Sequence, residues 1–223
     1  IRLPNKPARR DSEHATPQAA AIIDRENAYA RLISNRATLS SIVEYVKNGE
    51  PVLLVDSEDL TGGIDLKHAV DCHFRSEGWN VLSSNTLDPF GLTSITEQIA
   101  IWSKSLEVPF DGSGSAQEDV HGLVNFVRSQ PEKRYLFSLN AGQNRELERD
   151  ALGELLHKLT DIDNASLFVL GVEDFADITK GSWVKASFDD LTEQDCAEYL
   201  ARYLANDAKI VARNIPRTYA NIK

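Results

Sequence analysis

The sequence predicts an α/β fold: a three-layer arrangement in which a parallel sheet is flanked by helices, with a small helical lid. Three observations predict it. Short apolar runs alternate with helix-period segments at least four times along the chain. Those runs lack polar alternation, as strands buried on both faces do. Finally, the strand 51–55 is followed by a glycine-bearing loop over 57–65 and the amphipathic stretch Leu66–Glu77, the strand–loop–helix order in which a backbone cradle for phosphate forms.

Each element has its own signal. Residues 1–15 carry Arg2, Lys6, Arg9 and Arg10 with Pro4 and Pro7, and read as a flexible basic arm. Thr16-Pro17 has the form of an N-cap followed by proline at the first helical position. Apolar residues from Ile22 and Ile23 through Tyr29, Leu32 and Leu39 to Ile42 and Val46 recur at helical spacing, which fits one helix or two in succession, and Asn48-Gly49 ends the run. The strand Pro51–Val55 follows, then a helix closing at Gly78 and a strand over Trp79–Leu82. Ile95, Ile99, Trp102 and Leu106 mark a helix, and 111–115 a loop. Val120, Leu123, Val124 and Val127 mark the next helix, before the strand Tyr135–Leu139. A helix over Leu147–Leu159, a strand over Leu167–Leu170 and a helix over Phe188–Leu204, opening at Leu191-Thr192, complete the pattern. The expected division is an arm at 1–15, an α/β core at 16–187 and a lid at 188–223.

Composition narrows the partners. The net charge of −10 makes an acidic field, which disfavours a phosphate backbone, so nucleic acid is not the favoured partner. Cys72 and Cys196 stand far apart on helical stretches. They suggest no disulfide framework and suit a reducing compartment. No apolar run reaches the roughly 18 residues of a membrane span. A chain that opens on Ile1 and contains no methionine is expected to be a piece of a longer gene product, so membrane attachment would come through segments outside it.

The candidate site is the stretch from Ser57 to Leu66. A working phosphate loop ends Gly-Lys-Ser/Thr, so that an ammonium meets the phosphates and a hydroxyl meets magnesium. After Gly62, the lysine position is held by Gly63 and the hydroxyl position by Ile64. The loop keeps the form of a nucleotide site without its charge.

Taken in order, the segments resemble the AAA+ superfamily, in particular the general secretion pathway ExeA-type (ORC/Cdc6-like) group, over roughly residues 25–223. Against that group's phosphate loop, Glu58, Thr61, Gly62 and Leu66 are kept. Leu60 replaces a glycine, and Asp65 adds a negative charge beside the phosphate space. The family's second motif is a strand ending Asp-Glu-Ala-Gln-Asn, whose carboxylates hold magnesium and polarise water. Here the strand ends Asn140-Ala141-Gly142-Gln143-Asn144, with the Gln-Asn pair kept and both carboxylates lost. In the sensor region the glycine is Gly171, and the polar residue becomes Val172. Leu191-Thr192-Glu193 matches the lid opening, and Asn214-Ile215-Pro216-Arg217 a late lid motif.

The resemblance implies a degenerate ATPase with no catalytic residue, no cofactor and no metal. Glu58, Thr61, Gly62, Gly63, Ile64, Asp65, Asn140, Ala141, Gln143 and Arg217 would be vestigial positions of the nucleotide site, with Arg217 pairing with Asp65 or Glu58. It implies a protein-interaction or scaffold role, with protein partners or a homo-oligomer, in bacterial cell-envelope assembly (secretion, pilus biogenesis or cell division) on the cytoplasmic side of the inner membrane. Two alternatives stay open: a nucleic-acid-associated AAA+ protein of the transposition or replication-initiator type, and a nucleotide-binding ATPase with atypical motifs. His68 and Cys72 lie four apart on a helix, as metal ligands can, but no second pair is evident. Glu173-Asp174 and Asp189-Asp190 read as solvated faces, and no nucleophile elbow is present.

Overall fold

A computed structural model describes residues 16–32, 35–55, 60–84, 94–108, 116–142, 153, 157–159, 161–171, 184–186 and 192–204. The basic arm, Glu58, Gln143 and Arg217 with the expected Arg217 pairing, and most of the helix expected over 147–159 lie outside these residues; residues 153 and 157–159 are helical.

The elements are helices α1 (Pro17–Arg31) and α2 (Arg36–Lys47), strand β1 (Val52–Val55), helix α3 (Leu60–Ser76), strand β2 (Asn80–Ser83), helices α4 (Ile95–Ser105) and α5 (Ala116–Arg128), strands β3 (Tyr135–Gly142), β4 (Ala165–Gly171) and β5 (Val184–Ala186), and helix α6 (Glu193–Leu204). Thr16 caps α1 by accepting from the Ala19 N–H, with proline in the first turn. Gly49 and Gly78, at φ 79° and 85°, make the left-handed turns that return the chain from α2 and α3 to the sheet.

The sheet runs β2-β3-β4-β1-β5, and every pairing is parallel. The strands expected near 51–55, 79–82, 135–139 and 167–170 therefore belong to one parallel sheet. The sequence carries no signal for the strand β5. Its three residues, Val-Lys-Ala, are too few to show a pattern, and it forms on the exposed side of β1 through the register Val52↔Val184. Its Lys185 is a charge of the kind that protects an open sheet edge.

Alternation along β3 divides the core. Tyr135, Phe137 and Leu139 face α4 and α5 with Leu53, Leu82, Leu167 and Val169. Trp102 of α4 meets Phe137 edge-on, with ring centroids 5.0 Å apart. Leu136 faces the opposite layer with Val52, Leu54, Phe168, Leu170 and the inner sides of α1, α2 and α3. Apolar side chains on both faces explain why the strands read as mainly apolar runs without polar alternation. Among the described residues, no helix is long and apolar enough to cross a membrane.

Candidate functional site

Parallel pairing brings three strand ends to one edge. Val55 of β1 pairs with Gly171 of β4, and Gly171 pairs with Gly142 of β3. Ligands of open α/β sheets bind at this carboxyl edge, where the strand order reverses direction. β1 leads to α3, the glycine-bearing segment; β3 carries Asn140 and Ala141 to the same edge.

Two local structures differ from expectation. The loop expected over 57–65 gives way to helix at Leu60, so Thr61, Gly62, Gly63, Ile64 and Asp65 all lie in the opening turns of α3. Two adjacent glycines suggested loop, but the apolar layer decides otherwise. Gly63 is buried, and Ile64 packs half-buried against the core shared by α1, α2 and α3. Asp65 is exposed. Strand β3, expected to end at Leu139, continues to Gly142, because β4 extends alongside it. Pairing with a neighbouring strand outweighs the poor strand preference of Asn and Gly. The register slips between Asn140 and Gly142, leaving Ala141 as the additional residue of an irregularity. Asn140 is fully buried, and its backbone N–H donates to Ser84 Oγ at 2.8 Å.

A buried polar cluster lies beside this edge, between α3 and β2. Lys67 Nζ donates to Asp71 Oδ2 at 3.0 Å and to Ser83 Oγ at 2.6 Å, and Ser83 Oγ donates to the same Asp71 oxygen at 2.6 Å. The Lys67 and Asp71 side chains are 7% and 4% exposed, so this is an interior ion pair. The sequence conceals it, because a Lys and an Asp four apart on an amphipathic helix look like an ordinary surface pair. The available signal was Ser83 at the end of β2. Lys67 is directed to β2, at the far end of the sheet from β5, with β3 and β4 lying between β2 and β1. It is therefore anchored away from the strand that leads into the phosphate-loop position.

Of the paired candidates, Cys72 Sγ lies 3.7 Å from His68 Nε2. Burial raises the Cys72 thiol pKa, which favours the protonated form over a thiolate. Among the described residues, no group of three or more His, Cys, Asp or Glu side chains could hold a metal ion.

Neither a protein-family model nor a curated protein matches this sequence. Solved structures do. Cdc6p from Pyrobaculum aerophilum is similar with a TM-score of 0.52 at 17% identity, over 81% of this chain and 50% of that one. This is an AAA+-like fold. PCH-2 of C. elegans follows with a TM-score of 0.48 at 11% identity, over 84% of this chain and 52% of that one. Drosophila ORC bound to GC-rich DNA and Cdc6 gives 0.44 at 11% identity, over 92% of this chain and 38% of that one. The chain thus spans about half the length of the Cdc6p chain. At such identity the likeness concerns the fold.

An AAA+-like fold implies a magnesium nucleotide at the carboxyl edge, and among the described residues those at the matching positions do not fit one. Phosphate needs the loop lysine, and magnesium needs a loop hydroxyl and a strand-end carboxylate. The chain presents Gly63, with no side chain, Ile64, committed to the apolar layer, and Asn140, a buried neutral amide. No catalytic step through a nucleotide follows from this donor set.

Proposed function

We propose that this chain is a catalytically inactive AAA+-like domain that works as a protein-interaction or scaffold module. The observation that carries the reading is the joint loss at the carboxyl edge. By the ExeA-type resemblance, Gly63, Ile64, Asn140 and Ala141 stand where the ammonium, the hydroxyl and both carboxylates would be. Each such group stabilises a phosphoryl-transfer transition state electrostatically, so losing all of them removes the charge partners of phosphate and metal together. What is kept is a packed α/β scaffold, and a scaffold without chemistry retains its surfaces. From the ExeA-type resemblance we assign the domain to bacterial cell-envelope assembly, facing the cytoplasm, with protein partners or further copies of itself.

The test is phosphate release from ATP with magnesium present and absent. Turnover at background level is expected. Turnover above background that Thr61→Ala or Asn140→Ala abolishes would overturn the inactive reading. A second reading, a nucleic-acid-associated protein, is favoured by the basic residues Arg2, Lys6, Arg9 and Arg10, and opposed by the net charge of −10. Duplex DNA binding whose affinity falls steeply with salt would support it.

A further inference from the structure

At the opposite, amino edge of the sheet lies a cleft of about 460 Å³, within the size range of pockets that hold ligands. Two turns build it. The end of α5 contributes Arg128, the turn after it Arg134, and the turn before β4 Asp161 and Asp163. The four charges cancel locally within a strongly acidic chain. No ion pair within 4.0 Å joins the two arginines to the two aspartates among the described residues. The arginines and the aspartates therefore both line the cleft without a direct ion pair between them.

The floor is rigid. Asn164 Nδ2 lies 3.1, 2.9 and 3.0 Å from the carbonyl oxygens of Val127, Gln130 and Lys133, tying the acidic turn to the basic one. Ile162 is 6% exposed and is anchored in the core beneath. The Arg134 guanidinium is braced 5.4 Å over the Trp79 ring, which limits the rotamer entropy lost when it engages a ligand.

We propose that this cleft docks a segment of a partner protein carrying one acidic and one basic side chain side by side. The acidic side chain meets the arginines and the basic one the aspartates. A segment with charges of one sign meets attraction from one turn and repulsion from the other, so the cleft selects by charge pattern. The proposal rests on reading the domain as an interaction module, and supplies the chemistry of one partner.

The experiment is an amide-resolved NMR titration of the full chain with short capped Gly-Ser peptides whose central pair is Lys-Glu, Lys-Lys or Glu-Glu, at about 0.15 M ionic strength. The Lys-Glu peptide is expected to shift amides of 128–134 and 161–164, and to bind about tenfold more weakly after Arg134→Glu or Asp163→Lys. Both side chains are exposed, so the fold should survive either change, as matching melting curves would verify. Absence of a localised shift with the Lys-Glu peptide, or equal binding of a single-sign peptide, overturns the proposal. A chain that turns over ATP yet binds the mixed peptide loses the inactive reading and keeps the cleft; one inert to ATP and to all three peptides loses the cleft alone.

Discussion

Asp71 receives both Lys67 and Ser83 on one oxygen, Oδ2, while its Oδ1 is buried with no hydrogen-bond partner. An interior pair of this kind is costly to break, because removing one partner strands the other charge out of water. Asp71→Ala is expected to destabilise the fold by about 3–5 kcal/mol in urea titrations, whereas the double change Lys67→Met with Asp71→Leu should be close to neutral or stabilising. Similar losses for the single and double variants would show that the ion pair has no special role. His73 offers a second test. Tyr29 Oη is hydrogen-bonded with its Nδ1, and its Nε2 lies 3.2 Å from Glu77 Oε1 outside hydrogen-bond geometry. Burial lowers the His73 pKa below 6.5, with Glu77 opposing. The unfolded chain then binds more protons as the solution acidifies. The contribution is complete above about pH 6.5 and is lost as pH falls through the lowered folded value. His73→Gln should therefore flatten the decline of stability between about pH 7.5 and 5.5; an unchanged slope would assign that decline to other groups.

Helix boundaries separate what the sequence made legible from what it concealed. Thr16-Pro17 and Gly78 could be read because capping and left-handed turns are local chemistry. The start of α3 could not, because Gly62 and Gly63 carry a loop signal that the burial of Gly63 and Leu66, with Ile64 half-buried, overrides. The end of β3 was concealed for the same kind of reason: Asn140 to Gly142 extend because β4 extends beside them. The opening of α6 is again local. Thr192 N–H and Oγ donate to Asp195 Oδ2, and Asp195 N–H donates back to Thr192 Oγ, a reciprocal cap. Thr192→Ala should cost about 1 kcal/mol, read as loss of helix protection in hydrogen exchange. The Thr192 hydrogen bonds lower the Asp195 pKa below 3.8, so this contribution is present above that value and disappears as pH falls through the lowered one. Protection of α6 that is indifferent to Thr192→Ala would instead point to its packing beside α1 and the Arg36–Glu198 pair at 3.5 Å.

On the scale of the whole molecule, the inactive reading makes a thermodynamic prediction. A ligand that binds only the folded state raises the melting temperature in proportion to the logarithm of its concentration. ATP with magnesium is expected to leave the melting temperature unchanged up to millimolar concentration; a concentration-dependent rise would reveal retained nucleotide binding without turnover. The parallel sheet could be foreseen because Val52–Leu54 and Leu167–Leu170 are apolar on both faces and Leu136–Leu139 is interrupted only by Ser138. The amino-edge cleft could not, since Arg134 and Asp163 are brought together only by the β3–β4 pairing. The strand order also governs how the molecule comes into being. β1 is made early, yet its two neighbours, β4 and β5, are the last strands of the sheet to be synthesised. A growing chain carries β1 with both backbone edges bare until Ala165–Gly171 and then Val184–Ala186 emerge. Such long-range closure slows folding and leaves an adhesive strand exposed. Any shortened version ending before Ala165 would keep that strand without its native neighbours, making aggregation during synthesis, more than weakness of the finished fold, the main hazard of this architecture.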